Sequence, residues 1–593
     1  MNLCVFLTYL LGIALVTGSK NASNRALIIA SKSLKYYEFS YISTVEFSSE
    51  FPTIAMATHE NRINQTGWST LSLITSDEFP DSYQAYWAGF LETNITYDLT
   101  KAHMANTMEG FCPEPLTNDC LKLKAWLTDN IDYMIKSFLY RGYGDEFWYQ
   151  IGLQLWQLKG MSDAYNGKFV RNSSELTSDY LKQLKDDVFG IYILQLSGDL
   201  NEIKTSLNLS EVFKRKSNLT EDEFERPSCS ALIKLVPKDI LISHVTWSSY
   251  KMMLRVLKIY RFPWKIRNGD GERVTSEAIS FSSYPSVISS IDDFYITSNK
   301  LVVLETTFSN DNKDLWVFVR EGAQSSVLYF YRVMTANRLA RTGREWALYF
   351  RQENSGTYNN QWMVVDAKLF SNDQPLPSKG LLVVAEQLPG IVWIEDKTNV
   401  LVGQTYWASF NLPYFPVISN LSGIQQKIAE HGTYYDYNQS PRNKIFQREN
   451  VKVTDLQTFY QLMRYNNYKE DPLSRCNCTP PYSANLAISA RSDLNDPNGT
   501  YPLKNLGFRL HGGTDVKITN YKLLQTLDFI AASGPTYSSV PAFQWSKLPI
   551  HFETPQLHPD TWKFGPYLTN FTCPLWALNS TGNCFAPTLM PAF

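Results

Sequence analysis

After Val16 the sequence has no stretch approaching ~18 consecutive apolar residues, which by length alone excludes a membrane-spanning helix from the rest of the chain. Excess charge is also missing. The 55 Lys and Arg stand against 57 Asp and Glu, a formal net charge of -2, so nothing points to nucleic acid or a polyanionic partner. There is no fixed-period repeat and no long low-complexity segment, which argues against a solenoid or a disordered tail. No Gly-x-Ser-x-Gly elbow is present, so a serine nucleophile of the α/β-hydrolase kind has no support. Neither His-Glu-x-x-His nor a spaced Cys/His set occurs, so no metal and no other cofactor is expected.

What is present is ample material for a core. The chain has 593 residues, 44% of them hydrophobic and 14% aromatic, enough for two to four domains. Leu3 to Val16 is apolar apart from Thr8 and Gly12, and Thr17, Gly18 and Ser19 follow as small residues. That is the length and flank of a cleavable signal peptide, assigned to residues 1–18, although no Lys or Arg precedes it. Acceptor sequons at Asn21, Asn64, Asn94, Asn172, Asn208, Asn218, Asn420, Asn498, Asn570 and Asn579 point independently to the secretory pathway, with a lysosomal or extracellular destination. Asn438 is set aside because Pro441 follows closely, and Asn477 because it lies between two cysteines.

An exported chain meets an oxidising compartment. Cys112 with Cys120, Cys476 with Cys478 and Cys573 with Cys584 are each close enough in sequence for local disulfides, while Cys4 leaves with the signal peptide. A Cys476–Cys478 bridge closes a very small ring. Cys229 is then left over. It is either a buried inert thiol or a reactive one.

The pattern along the chain divides it at Cys229. Residues 19–200 begin with a strand at Ala26–Ala30 and turn helical at Cys120–Leu139 and Asp145–Leu158, where apolar residues recur every three or four positions. Residues 201–228 are rich in Lys, Glu, Asp, Asn and Ser and read as an exposed, protease-sensitive linker. Residues 229–593 open on a buried-strand pattern, Cys229–Val236, and a second strand at Ile240–Thr246. Strands are also expected at Val302–Phe308 and Leu381–Glu386, and helices at Tyr250–Tyr260 and Leu456–Arg464. The class is α+β. His511-Gly512-Gly513 reads as a turn, and Asp493 and Asp515 as loop or cap residues.

Cleavage before Cys229 would place a thiol and a free α-amine on one residue. The amine, with a reference pKa of roughly 7.7–8.0, can then serve as general base for its own side chain. Before cleavage the same thiol could attack the Ser228 carbonyl and give a thioester that water resolves.

Around this position the sequence resembles the phospholipase B-like family, the lamina ancestor group of N-terminal nucleophile hydrolases. The resemblance rests on Ser228-Cys229-Ser230-Ala231-Leu232-Ile233-Lys234, His244-Val245-Thr246-Trp247-Ser248-Ser249-Tyr250 and Leu304-Glu305-Thr306-Thr307. It continues through Asn354–Trp362, Tyr406–Phe415, Pro441–Arg448, Ile488–Asn495 and His511–Asp515, and covers roughly Ala26 to Lys563. It implies a four-layered αββα sandwich assembled from two fragments of one precursor. It also implies autocatalytic cleavage at Ser228–Cys229 and a catalytic set of Cys229, Asn411, Arg442, Thr307, His244 and Trp247. In that set Cys229 is the nucleophile and Asn411 an oxyanion donor. Arg442 would hold the thiolate or substrate, and Thr307 would orient the α-amine. His244 and Trp247 have packing readings as well. The expected activity is deacylation of glycerophospholipids, with N-acyl amides as the alternative substrate and a non-catalytic binding glycoprotein as the alternative class.

Overall fold

The computed structural model describes residues 53–168, 170, 173–213, 228–269, 271–550 and 552–571, together with the backbone of Asn24–Ser31 and Tyr37–Ile42. The signal-peptide residues, Asn21, Asn172, Asn218, Asn579, Cys573, Cys584 and residues 214–227 of the expected linker lie outside them.

In chain order the strands are β1 (Asn24–Ser31), β2 (Tyr37–Ile42), β3 (Thr53–Arg62), β4 (Trp68–Thr75), β5 (Ser228–Val236), β6 (Asp239–Ser249), β7 (Val256–Arg261), β8 (Ala278–Ser283), β9 (Phe294–Thr297), β10 (Leu301–Thr307), β11 (Asn360–Asp366), β12 (Leu382–Leu388), β13 (Ile391–Asp396), β14 (Tyr406–Ser409), β15 (His511–Gly513), β16 (Asp515–Asn520), β17 (Ile530–Ser533), β18 (Phe543–Gln544), β19 (Thr561–Trp562) and β20 (Tyr567–Leu568). Among the described residues, an 11-stranded sheet runs β13-β12-β11-β10-β9-β8-β7-β4-β3-β1-β2. A second sheet runs β14-β5-β6-β16-β17-β20, with β15 also beside β6. β18 and β19 form a separate ribbon. The pairings are antiparallel except β4 with β7, where the chain before Ser228 meets the chain after it.

Period-two alternation decides what each strand shows to each side. In β5, Ala231, Ile233 and Leu235 pack with Leu257, Ile259, Val302 and Leu304 of the large sheet, forming an apolar layer between the two sheets. Leu232 belongs instead to the opposite face, with Val245 and Trp247 of β6 and with Ile445, Phe446 and Phe459 from the helices Pro441–Glu449 and Leu456–Met463. The outer face of the large sheet is covered by the helices Asp81–Ile95, Asn118–Arg141, Glu146–Tyr165, Tyr329–Leu339 and Gly343–Arg351. The molecule is therefore a mixed α+β structure, with helices packed outside two sheets that share a core.

The helices Asp81–Ile95 and Glu146–Tyr165 touch backbone to backbone. A Cβ at Gly89 would lie 1.8 Å from the Gln157 carbonyl oxygen, and one at Gly160 would lie 2.0 Å from that of Tyr86. Side chains larger than hydrogen are excluded from both positions, which explains two glycines in helix interiors where they otherwise lower helix stability.

Several sequence expectations change. Tyr250–Tyr260 is not a helix: Tyr250–Met252 is one 3-10 turn and Val256–Arg261 is strand β7. This strand is buried along nearly its whole length, so its apolar run carries no alternation to mark it as β. His511–Gly513 is a short strand against Trp247–Ser249 rather than a turn. Asp515 is not a cap. It is fully buried in β16, and Asp493 is buried in an ion pair with Arg491 at 2.8 Å. The first part of the expected linker is the helix Leu200–Leu207, anchored by buried Ile203, Leu209 and Val212. Cys112 pairs with Cys120 and Cys476 with Cys478. Asn64, Asn208, Asn420, Asn498 and Asn570 are exposed and Asn94 is half-buried; Asn477, expected to be hidden between its cysteines, is exposed too. Among the described residues, no helix is long and apolar enough to cross a membrane.

Candidate active site

Cys229 follows Ser228 at the start of β5, opposite Thr246 of β6, and is fully buried. The alternation that sends Ala231 and Ile233 between the sheets sends the Cys229 side chain there too. On the neighbouring strands His244, opposite Ala231, and Lys517, opposite His244, share that face. The layer between the sheets is thus apolar through its middle and polar at this end.

The groups around Cys229 come from widely separated segments. Its backbone N–H donates to Asn411 Oδ1 at 3.0 Å. Arg442 Nη1 donates to the Cys229 carbonyl at 2.6 Å and to Asn411 Oδ1 at 2.7 Å. The Arg442 guanidinium lies over the Trp247 ring, 4.4 Å from its centroid, and Trp247 Nε1–H donates to the Ile488 carbonyl at 3.1 Å. Asn411 Nδ2 donates to the Thr307 carbonyl, and the residue holds a left-handed backbone, φ 67°. Asparagine tolerates that conformation better than most residues. Thr307 Oγ1 donates to Glu305 Oε2 at 3.3 Å. His244 Nε2 lies 2.8 Å from the Glu305 carbonyl, while its Nδ1 is buried without a partner.

All six residues singled out from the sequence therefore meet in one place, with contacts that differ in detail from their expected roles. In this single-chain form the Asn411 oxygen, not its nitrogen, faces Cys229. Arg442 holds the carbonyl of Cys229 rather than its sulfur. Thr307 bonds to a carboxyl and not to the Cys229 nitrogen.

That carboxyl is what sequence reasoning passed over. Glu305 Oε1 lies 3.9 Å from Cys229 Sγ and accepts from Tyr358 OH at 3.1 Å. With its amide nitrogen turned inward, Asn360 donates to Glu305 Oε2 at 3.1 Å and to Thr307 Oγ1 at 3.2 Å. Glu305 lies inside the quoted Leu304-Glu305-Thr306-Thr307 motif, and a charged residue closing an apolar strand was the signal available. Cys229, His244 and Glu305 have side-chain atoms within 4.8 Å of one another, the one such grouping among the described residues. His244 Nε2 and both Glu305 oxygens have protein hydrogen-bond partners.

Burial dominates the electrostatics. Burial and then the charge of Glu305 push the Cys229 thiol well above its ordinary range, against the opposing Trp247 N–H and Lys517. Burial and then Asp293 raise Glu305. Burial and then Lys517 hold His244 well below its usual value, so it is neutral. Burial draws the Lys517 ammonium down to about 8 despite Asp515. Asp515 is raised by burial, but Lys517 and Arg255 outweigh this and keep it ionised. Arg255 Nη2 to Asp515 is 2.6 Å and Lys517 Nζ to Asp515 is 2.8 Å, and Arg255 also pairs with Asp292. Buried charges survive here because they are paired.

A cavity of about 450 Å³ opens in front of this cluster, lined by Ser228, Trp247, Thr307, Asn411 and Arg442. Phe213 and Lys204, from before the Ser228 junction, line it as well. Cys229 is next in the chain after the lining residue Ser228, and the cavity volume lies within the range of small-molecule sites.

A thiol ringed by carboxyl, amide and guanidinium groups at the head of a strand defines a thiol-centred cluster at the back of a cavity. The comparisons give the family. The profile of the Phospholipase B family matches residues 55–569. A mouse protein named "Putative phospholipase B-like 2" is 43% identical over 521 residues, 86% of this chain and 84% of its own length. A Caenorhabditis elegans protein named "Putative phospholipase B-like 1" is 41% identical over 522 residues, covering 86% of each chain. The "Phospholipase B-like protein B" of Dictyostelium discoideum is 37% identical over 510 residues, 85% of this chain and 83% of that one. The chain belongs to the phospholipase B-like family.

Proposed function

We propose that the chain is an exported acyl hydrolase that matures by cleavage at Ser228–Cys229 and then uses Cys229 as an N-terminal nucleophile on phospholipid esters. The observation that carries this reading is the 3.0 Å hydrogen bond between the Cys229 nitrogen and Asn411 Oδ1. After cleavage that nitrogen is an α-amine already fixed beside its own thiol, with Asn411 and Arg442 orienting it. The amine takes the thiol proton, the thiolate attacks the acyl carbonyl, and the amine returns the proton to the leaving group. Water then releases the acid from the thioester. In this account Arg442 fixes the Cys229 carbonyl, Thr307 fixes Asn411, Trp247 supports the Arg442 guanidinium, and His244 braces the strand that carries Glu305.

Loss of Ser228 from the cavity wall would open the cavity onto Cys229, which supports a substrate entering from that side. The signal-peptide pattern and the exposed sequons support export, with a lysosomal or extracellular destination. The two fragments, 19–200 with its linker and 229–593, would stay together through the β4–β7 pairing.

The test is turnover by the purified, cleaved protein. It is offered phosphatidylcholine vesicles, lysophospholipid micelles and N-acyl amides, and the released acid is measured. We expect acid release from at least one ester substrate, with none from Cys229→Ala. Release only from N-acyl amides would transfer the proposal to amide bonds by the same mechanism. Equal release by Cys229→Ala would refute the nucleophile.

A further inference from the structure

Before cleavage the α-amine does not exist. The Cys229 nitrogen is an amide, and its N–H is donated to Asn411 Oδ1. If maturation is self-cleavage, as the reading above holds, its general base must be another group. We propose that Glu305 is the general base of the Ser228–Cys229 cleavage.

Among the described His, Asp and Glu side chains, the carboxyl of Glu305 and the imidazole of His244 group with the Cys229 sulfur, their atoms all within 4.8 Å of one another. The sulfur is 3.9 Å from Glu305 Oε1, a thiol-to-carboxylate hydrogen-bond distance. Charge balance separates the two candidates. Moving the proton from a neutral thiol to a carboxylate relocates one buried negative charge and creates none. Moving it to neutral His244 would create an imidazolium and a thiolate from two neutral groups in a buried site. That transfer is opposed by desolvation and by the neighbouring Lys517 and Arg255 cations. Burial and then Asp293 raise Glu305, so the carboxylate that serves as base is depleted as pH falls, while each ionised Glu305 is a stronger base with a proton affinity closer to that of a thiol. The carboxyl is held in place by Tyr358 OH on Oε1 at 3.1 Å and by Thr307 Oγ1 on Oε2 at 3.3 Å, which leaves Oε1 facing the sulfur.

The step balances as follows. The S–H bond of Cys229 breaks and its proton goes to Glu305 Oε1. The thiolate forms an S–C bond to the Ser228 carbonyl carbon through a five-membered ring. The C–N bond to Cys229 then breaks, and the departing nitrogen takes the proton back from Glu305, becoming the α-amine. Water cleaves the thioester, giving the Ser228 carboxylic acid and restoring the thiol.

The experiment follows cleavage of full-length wild type, Glu305→Gln, Glu305→Asp, His244→Gln and Cys229→Ala over time on denaturing gels, with thermal unfolding as the folding control. We expect Glu305→Gln to remain whole or to cut at least ~10²-fold more slowly, the scale of a lost general base. His244→Gln, which removes the 2.8 Å contact to the Glu305 carbonyl, should slow cleavage clearly less than Glu305→Gln does. Wild-type cleavage rates in folded Glu305→Gln, or a block specific to His244→Gln, would overturn the assignment. Should Glu305→Gln fail to fold, Glu305→Asp decides. It keeps the charge but withdraws it by one methylene, so cleavage is expected to slow at least tenfold, and an unchanged rate overturns the proposal. A wild-type chain that never cuts overturns the nucleophile reading itself, whereas cutting that depends on Cys229 but not on Glu305 overturns only this one.

Discussion

Arg442→Lys tests how much of the site depends on a planar guanidinium rather than on positive charge. Nη1 of Arg442 makes charge-assisted hydrogen bonds of 2.6 Å to the Cys229 carbonyl and 2.7 Å to Asn411 Oδ1, while the group lies 4.4 Å from the Trp247 ring centroid. Burial lowers the guanidinium to about 10, so it stays charged at any physiological pH. A lysine keeps the charge and can reach one of the two acceptors, but it loses the second bond and the flat stacking on Trp247. One charged hydrogen bond contributes about 1.5–3 kcal/mol and the stack about 0.5–2 kcal/mol, a combined loss of roughly 2–5 kcal/mol. Because the two contacts fix the residue proposed as nucleophile, the loss should appear in the barrier, as a reduction of about 30-fold to a few thousand-fold in rate. The assay is the cleavage rate of the precursor, together with kcat/KM of whatever fraction matures. A denaturant titration separates the barrier effect from global destabilisation. A variant that cuts and turns over within about twofold of wild type would refute the positioning argument.

Three further outcomes follow from the packing and the buried charges. Lys517→Met removes one of the two cations that hold the fully buried Asp515, leaving Arg255, and should cost about 1.5–3 kcal/mol in denaturant unfolding, with Lys517→Met/Asp515→Leu losing less than the sum of the single variants. Gly89→Ala forces apart two helices that touch through backbone and should cost about 1–3 kcal/mol or more, read as a lower unfolding midpoint. His103 is buried against Tyr284, and burial, then Lys258 and Arg255, lower it to about 3. A histidine depressed in the folded state contributes stability that is present above its unfolded value of about 6.5 and lost as pH falls toward its folded value. His103→Phe should therefore gain on wild type by about 2 kcal/mol between roughly pH 7.5 and pH 5, and a pH-independent difference would contradict the buried neutral imidazole.

Much of this arrangement was legible because strands and helices announce themselves locally. Cys229–Val236, Ile240–Thr246, Val302–Phe308 and Leu381–Glu386 were expected as strands, and β5, β6, β10 and β12 occupy them. The helices Asn118–Arg141, Glu146–Tyr165 and Leu456–Met463 appear where apolar spacing put them. Val256–Arg261 misled because a strand buried on both sides has no polar face, and the carboxylate that lets Lys258 be buried in it, Glu92, lies 166 residues away in sequence and 2.7 Å away in space. The same distance in sequence hid the acidic part of the site. Glu305 meets Cys229 across 76 residues and Tyr358 across 53, and nothing local marks it as a partner for a thiol. Asp515 read as a loop residue because its compensating cations include Arg255, 260 residues earlier. The six residues carried over from the family resemblance, by contrast, converge on one cluster, with Trp247, Thr307, Asn411 and Arg442 also lining the cavity, though their hydrogen bonds in the uncut chain suit positioning of the Cys229 backbone more than contact with its sulfur.

The central claim is that the chain is made to be cut before Cys229. Purified protein from a secretory expression host should be resolved into its fragments under reducing, denaturing conditions, and each should be sequenced from its N-terminus. The account predicts a large fragment beginning Cys-Ser-Ala-Leu in wild type and a single uncut chain for Cys229→Ala. A wild-type protein that hydrolyses its substrate while Ser228 and Cys229 remain joined would contradict it.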